Sequence, residues 1–161
     1  MTSPPLPLRL KVLLPIAPLL TIGAAPAAGI LHVKVDNVRA QTGRVHVDLC
    51  TQAQFLKDCP IMAEAPPRIG LTTVTLRNIK PGRYAAQVSY DQNGNGKVDR
   101  ALFGIPKEGV GFSNDAKIRM APPKWEEAVF DYDGQERTIR LKLRYFIGPN
   151  APASSAPADR P

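Results

Sequence analysis

The most restrictive feature of the sequence is a hydrophobic period of two that runs through nearly the whole chain. In "ILHVKVDNV" Leu31, Val33 and Val35 alternate with His32, Lys34 and Asp36, and in "RVHVDLC" Val45, Val47 and Leu49 alternate with Arg44, His46 and Asp48. Successive side chains of an extended strand point to opposite faces, so such a stretch buries one face and wets the other. "LTTVTLRNI" sets Val74 and Leu76 on one face, and "RYAAQVSY" does the same with Tyr84, Ala86, Val88 and Tyr90. In "ERTIRLKLRYF" Ile139, Leu141, Leu143 and Tyr145 alternate with Thr138, Arg140, Lys142 and Arg144, which makes the outward face basic.

No stretch of useful length has a helical period, although "TQAQFLKDC" has room for a turn or two. Thr42-Gly43 joins the first two strands. Pro81-Gly82 suits a type II turn, which predicts a hairpin over 72–90. Asp133-Gly134, between "EEAVFDY" and "ERTIRLKLRYF", predicts another. Six strands, with one or two short ones near Phe103 and Phe112, predict an all-β fold: a single-domain antiparallel β-sandwich, immunoglobulin-like or transthyretin-like.

The ends set the domain limits. Arg9 and Lys11 precede an apolar run over 12–22, and Ala25-Pro26-Ala27 offers small residues for cleavage, so 1–27 reads as a secretory signal. Pro15 and Pro18 interrupt that run, which falls short of the ~20 apolar residues that a spanning helix needs. No cysteine lies near the cut to carry a lipid, and no transmembrane segment is expected after the signal is removed. Residues 148–161, rich in Pro, Ala and Ser, have the composition of a disordered tail. The domain expected between them is 28–147. Arg9 and Lys11 leave with the signal, which takes the formal charge from +7 to +5. That modest excess is typical of a soluble domain and weakly favours anionic envelope polymers. Export also predicts a periplasmic or secreted location and a Cys50–Cys59 disulfide, because an oxidising compartment pairs two such thiols. Closing so short a loop is worth about 2–3 kcal/mol in the chain-entropy treatment.

One stretch carries metal-loop chemistry. In "DQNGNGKVD" Asp91, Asn93 and Asn95 take the first, third and fifth positions of an oxygen-ligand loop. Gly96 takes the sixth, Lys97 offers its carbonyl at the seventh, and Asp99 stands at the ninth. Side chains at alternate positions of a tight loop aim at one centre, and Gly96 supplies the positive φ such a turn requires. The twelfth position is Leu102, where a helix-loop-helix calcium site has a bidentate Glu, so this is no EF-hand. Glu108 and Asp115 are the nearest carboxylates to complete a site. With few charged ligands, calcium affinity is expected at about 10⁻⁴ to 10⁻³ M. Asn-Gly pairs also build tight β-connections, so a calcium loop and a plain turn are both consistent with the spacing.

"YDQNGNGKVD" followed by "FGIPKEGVGFSNDA" resembles the hallmark of an uncharacterised family of exported bacterial proteins, domain of unknown function 2141. The likeness extends over most of 30–146 and implies a β-rich exported module with no assigned activity. Tyr90 stands where many members have His, and Val110 where an aromatic is common, so no role of those side chains carries over. "GIPKEGVGFSND" reads either as a second loop folded over the first, with Glu108 and Asn114 beside the ion, or as an ordinary long connection.

Catalytic signatures are sparse. His32 and His46 sit at outward strand positions, Ser113 has no nucleophile-elbow context, and "GNGK" lacks the first glycine of a phosphate loop. Glu108 with Asp99 or Asp115 is the one carboxylate pairing that acid–base hydrolysis would use. Trp125 is either a sugar-stacking residue or an edge of the core. The expected function is a monomeric, non-catalytic envelope module, plausible partners being an envelope polysaccharide or another envelope protein and not nucleic acid. A carbohydrate or envelope-ligand site on the Gly-rich stretch 104–114 and a small carboxylate hydrolase are the alternatives.

Overall fold

The computed structural model describes residues 29–100, 106–119 and 121–146. The expected signal, the Pro/Ala/Ser tail and the short strand near Phe103 lie outside the described residues. The rest is an all-β sandwich. Eight strands follow one another: β1 (Gly29–Val38), β2 (Arg44–Cys50), β3 (Ile61–Ala65), β4 (Gly70–Ile79), β5 (Gly82–Asp91), β6 (Gly109–Phe112), β7 (Phe130–Tyr132) and β8 (Arg137–Lys142). A three-stranded sheet has the order β4-β1-β8, and a five-stranded sheet runs β3-β2-β5-β6 with β7 also on β5. All pairs are antiparallel except β1 with β8, which are parallel.

The alternating patterns fall where they should. Leu31, Val33, Val35, Val45, Val47, Leu49, Val74, Leu76, Val88, Tyr90, Leu141 and Leu143 are buried and form one core between the sheets. Each such aliphatic side chain contributes about 1.5–3 kcal/mol relative to exposure. A smaller cluster joins Phe55, Ala85, Ala116 and Ala128 to the half-buried Phe112 and Trp125.

Both expected hairpins are absent, because each turn carries the chain from one sheet to the other. β4 pairs with β1 and β5 with β2, so Pro81-Gly82 links the two layers. Gly82 is not among the glycines at positive φ, whereas Asn78 sits at φ 60°. In the same way β7 pairs with β5 and β8 with β1, so Asp133-Gly134, with Gly134 at φ 87°, is a corner between layers. The start of "WEEAVFDY" is a one-turn helix, α1 (Trp125–Ala128), not a strand. β3 was not anticipated from its sequence, since the exposed face that alternates with Ile61, Ala63 and Ala65 carries an apolar Met62 beside Glu64 and blurs the contrast.

Consecutive strands pair directly in only two places among the described residues, β2 with β3 and β5 with β6. Their connections are the disulfide-closed segment and the Asp/Asn/Gly loop. Because β2 and β5 are antiparallel, with Arg44 opposite Asp91 and Cys50 opposite Ala85, these connections sit at opposite ends of the sheet.

β6 closes the sandwich on one side. Val110 and Arg144 exchange backbone hydrogen bonds of 3.0 and 2.8 Å, tying β6 to the chain just after β8. The approach is close: a Cβ on Gly111 would lie 2.9 Å from a methyl of Leu141 and 3.0 Å from the Lys142 carbonyl. Gly111→Ala is therefore expected to lower stability by about 1–3 kcal/mol through overpacking, seen as a lower urea midpoint at unchanged slope.

Candidate functional site

The end of β5 places Asp91 on the outer face of the five-stranded sheet, yet the residue is only 3% exposed because the loop 92–99 closes over it. Its carboxylate organises that loop. Oδ1 accepts from the backbone N–H of Gly94 at 2.7 Å and of Asn95 at 3.1 Å, and Oδ2 accepts from Gly96 at 2.7 Å. Gly94 and Gly96 adopt φ 74° and 73°, the region glycine enters without strain, and this turns three successive amides toward one anion. Burial opposes ionisation of Asp91, but the amides of Gly96, Gly94 and Asn95, with His46 nearby, outweigh it and hold the carboxyl below its ordinary value of 3.8.

The asparagines add a second layer. Asn93 Oδ1 accepts from the Asn95 N–H at 3.1 Å, and Asn95 Oδ1 from the Lys97 N–H at 2.9 Å. Their Nδ2 groups both donate to Asp99, at 2.8 and 3.1 Å to its two oxygens. Asp91, Asn93, Asn95 and Asp99 are thus drawn into one hydrogen-bonded cluster. Lys97 joins it through its N–H while its residue stays exposed.

Glu108 is a clamp on this loop. Buried to 8% exposure, it accepts the Gln92 N–H on Oε1 and the Asp99 N–H on Oε2, each at 3.0 Å, and so spans the first and last turns. The Lys107 N–H adds a 2.8 Å bond to the Asp99 carbonyl.

Asn114 and Asp115 do not approach the loop. Phe112 pairs with Gln87, so the residues after it lie toward the other end of β5. There Ser113, 1% exposed, accepts the Ala86 N–H at 2.9 Å and donates to the Ala128 carbonyl at 2.5 Å. Asn114 donates to the carbonyl of Val129, and Asp115 accepts the Lys142 N–H at 2.7 Å. "FSND" is a structural corner joining β6, α1 and β8. Trp125 packs edge-on against Phe55 at 5.6 Å, as part of the small core.

His46 and Glu64 are the neighbours that the sequence did not flag. His46 lies opposite Ser89 and Glu64 in the sheet, with Nδ1 3.4 Å from Glu64 and Nε2 3.9 Å from Asp91. Only the strand register brings it to the loop. His32 is on the other sheet, bonded to Thr75 at 2.9 Å and Glu136 at 3.1 Å.

Hard oxygen donors suit calcium. Two carboxylates and two side-chain amides meet here, and each amide oxygen has a second lone pair beyond the one its backbone bond occupies. The donor set fits a weakly held divalent cation, with no bidentate acid in the loop. Among the described residues no three His, Cys, Asp or Glu side chains gather as a metal group.

Asp91→Asn replaces an acceptor oxygen by an N–H donor facing backbone amides, and is expected to lower stability by about 2–3 kcal/mol in any buffer. The unfolded chain takes up the proton more readily than the folded carboxyl does. The loop's contribution is therefore complete well above pH 3.8 and drains away as pH falls through the lowered value. Acid titrations of stability that superimpose for wild type and Asp91→Asn would refute this.

The family described as "Uncharacterized protein conserved in bacteria (DUF2141)" matches residues 33–140, which include both the loop and the corner. No curated protein and no solved structure matches the chain. With the matched stretch covering most of the sandwich, the chain belongs to the DUF2141 family of bacterial proteins.

Proposed function

We propose that this chain is an exported, non-catalytic envelope module whose loop 91–99 takes up calcium as a structural crosslink. The observation that carries the reading is the convergence of Asp91, Asn93, Asn95 and Asp99, with the loop backbone already wound around the Asp91 carboxylate. Those four side chains and the Lys97 carbonyl would hold the ion. Glu108 would stay on the backbone amides it clamps, which argues against its use as a hydrolytic acid. The leader-like N-terminus and the Cys50–Cys59 disulfide support export to an oxidising compartment. No helix among the described residues is long and apolar enough to cross a membrane. Monomeric action on an envelope polysaccharide or a neighbouring envelope protein is the corresponding expectation for partners.

Thermal melting tests the ion. At 5 mM calcium an affinity of about 10⁻⁴ to 10⁻³ M adds about 1–2 kcal/mol, a rise of several degrees in Tm. Asp91→Ala alone does not isolate the ion, because it also removes three amide bonds. Asp99→Asn is the sharper variant, since it keeps the side-chain size and removes one of the two charges. Because it also weakens one of the two amide bonds to Asp99, its Tm is compared with its own value in chelator, and there the calcium increment should be lost. An unchanged wild-type Tm in calcium would overturn the proposal.

A further inference from the structure

The outer face of the five-stranded sheet holds a groove of about 310 Å³ between its two pinned loops. Its floor is two rows of the sheet: Asp48, Gln87 and Phe112 in one, Ser89 and Val110 in the other. Leu56, Lys57 and Asp58 of the disulfide segment form one wall, and Val98 and Arg100 at the end of the Asp/Asn/Gly loop form the other.

Two features of the groove bear on what it could hold. Leu56, an apolar residue at φ 64°, is displayed 47% exposed on the rim. A left-handed backbone is costly for a branched side chain, and the cost is sustained by neighbouring bonds. Gln87 takes the Leu56 N–H at 2.7 Å, its amide reaches the Lys57 carbonyl at 3.4 Å, Cys59 is bridged to Cys50, and Phe55 is anchored on Phe112 and Trp125. The second is Asp48. Half-buried in the floor, its carboxylate accepts no hydrogen bond and forms no salt bridge among the described residues. Burial raises its pKa, the nearby His46 offsets part of this, and Asp58 adds to the rise. Among the described residues no protein group competes for these oxygens, which are open to donors that arrive through the groove.

The lining selects the class of ligand. Two carboxylates and two cations leave it without net charge, which disfavours polyanions and simple cations alike. Carboxylate, amide, hydroxyl and guanidinium groups alternate with a strip of Leu56, Val98, Val110 and Phe112. A pyranose has the matching pattern, with hydroxyls at its edge and C–H groups on its face. The volume is at the small end of ligand pockets, ~300–1,000 Å³, so one or two rings fit.

We propose that this groove binds a neutral mono- or disaccharide unit, free or at the end of a chain, with Asp48 accepting its hydroxyls. The floor does not depend on the cation, and the site stands whether or not the loop binds calcium. Of the described residues 106–114, Val110 and Phe112 line this floor.

Amide-detected NMR titration of the full chain in chelator tests it, with cellobiose, maltose and chitobiose as probes and inorganic phosphate and glycyl-alanine as controls. The expected result is saturable shifts with at least one disaccharide, clustered on residues 48, 56–58, 87, 89, 110 and 112. Asp48→Asn should weaken that binding at least tenfold while melting no lower than wild type, because it neutralises a desolvated charge. A merely structural Asp48 would lose stability instead. Shifts with phosphate or the dipeptide alone, no saturable shift with any sugar, or unchanged sugar affinity in Asp48→Asn would each overturn the proposal. If a sugar binds, comparison of the disaccharide with an insoluble polymer of the same unit in a pull-down separates a free ligand from a chain end.

Discussion

The antiparallel register between β2 and β5 is the constraint on which the rest of this molecule hangs. With Val47 opposite Val88 and Val45 opposite Tyr90, the apolar rows of both strands face the core together. The same register sets Asp48 beside Gln87, His46 beside Ser89 and Arg44 beside Asp91 on the opposite face. A slip of one residue would invert both faces, so burial of the core side chains fixes the outer arrangement as strictly as the inner one. The outer face also receives both long connections, since β2–β3 and β5–β6 leave this strand pair at opposite ends. Core packing thereby determines which polar groups the surface presents.

The β5–β6 connection shows how a long loop is held without a core of its own. Backbone amides freed from a ladder need acceptors, and Asp91 supplies them to three residues while Glu108 supplies them to two more across the loop. Burying two carboxylates is tolerable because each oxygen meets a donor, and charge-assisted bonds of this kind are the strong ones. "E-G-V-G-F-S-N-D", which follows, divides into separate jobs: the glutamate ties the loop, the glycines admit Tyr145 and Leu141, and Ser113 to Asp115 lock the corner at the far end. The stretch reads as architecture for presenting the outer face.

Local chemistry was legible in the sequence, and non-local pairing was not. Alternation named the inward residues of β1, β2, β4, β5 and β8 because a half-buried strand must alternate. The spacing of Asp91, Asn93, Asn95 and Asp99 announced a wound loop, since those contacts span at most nine residues. Asp133-Gly134 and Pro81-Gly82 misled because a turn motif specifies a reversal of direction and not the sheet in which the next strand lands. In a sandwich both choices bury the same side chains, and only the fit of all the strands decides. The parallel placement of β8 on β1 follows from that collective choice. His46 and Asp48 gave no warning, as their significance arises entirely from partners on β3, β5 and the loops.

Two aspartates on one face, one strand apart, show what the fold does with a charge. Asp91 is nearly inaccessible and surrounded by amides that overcome its burial, so its ionised form is the stable one. Asp48 is less deeply placed but has no comparable donors, and burial pushes it the other way. Desolvation pushes both carboxyls up, and only Asp91 has the donors that reverse it. Donors decide the difference, and their distribution follows from chain path: a loop that turns back over Asp91 brings its N–H groups, whereas the flat floor around Asp48 has already spent its own in the ladder. A carboxylate of the first kind is explained by the fold. One of the second kind is a cost to the fold, and such a cost is consistent with selection for something that the folded chain itself does not supply.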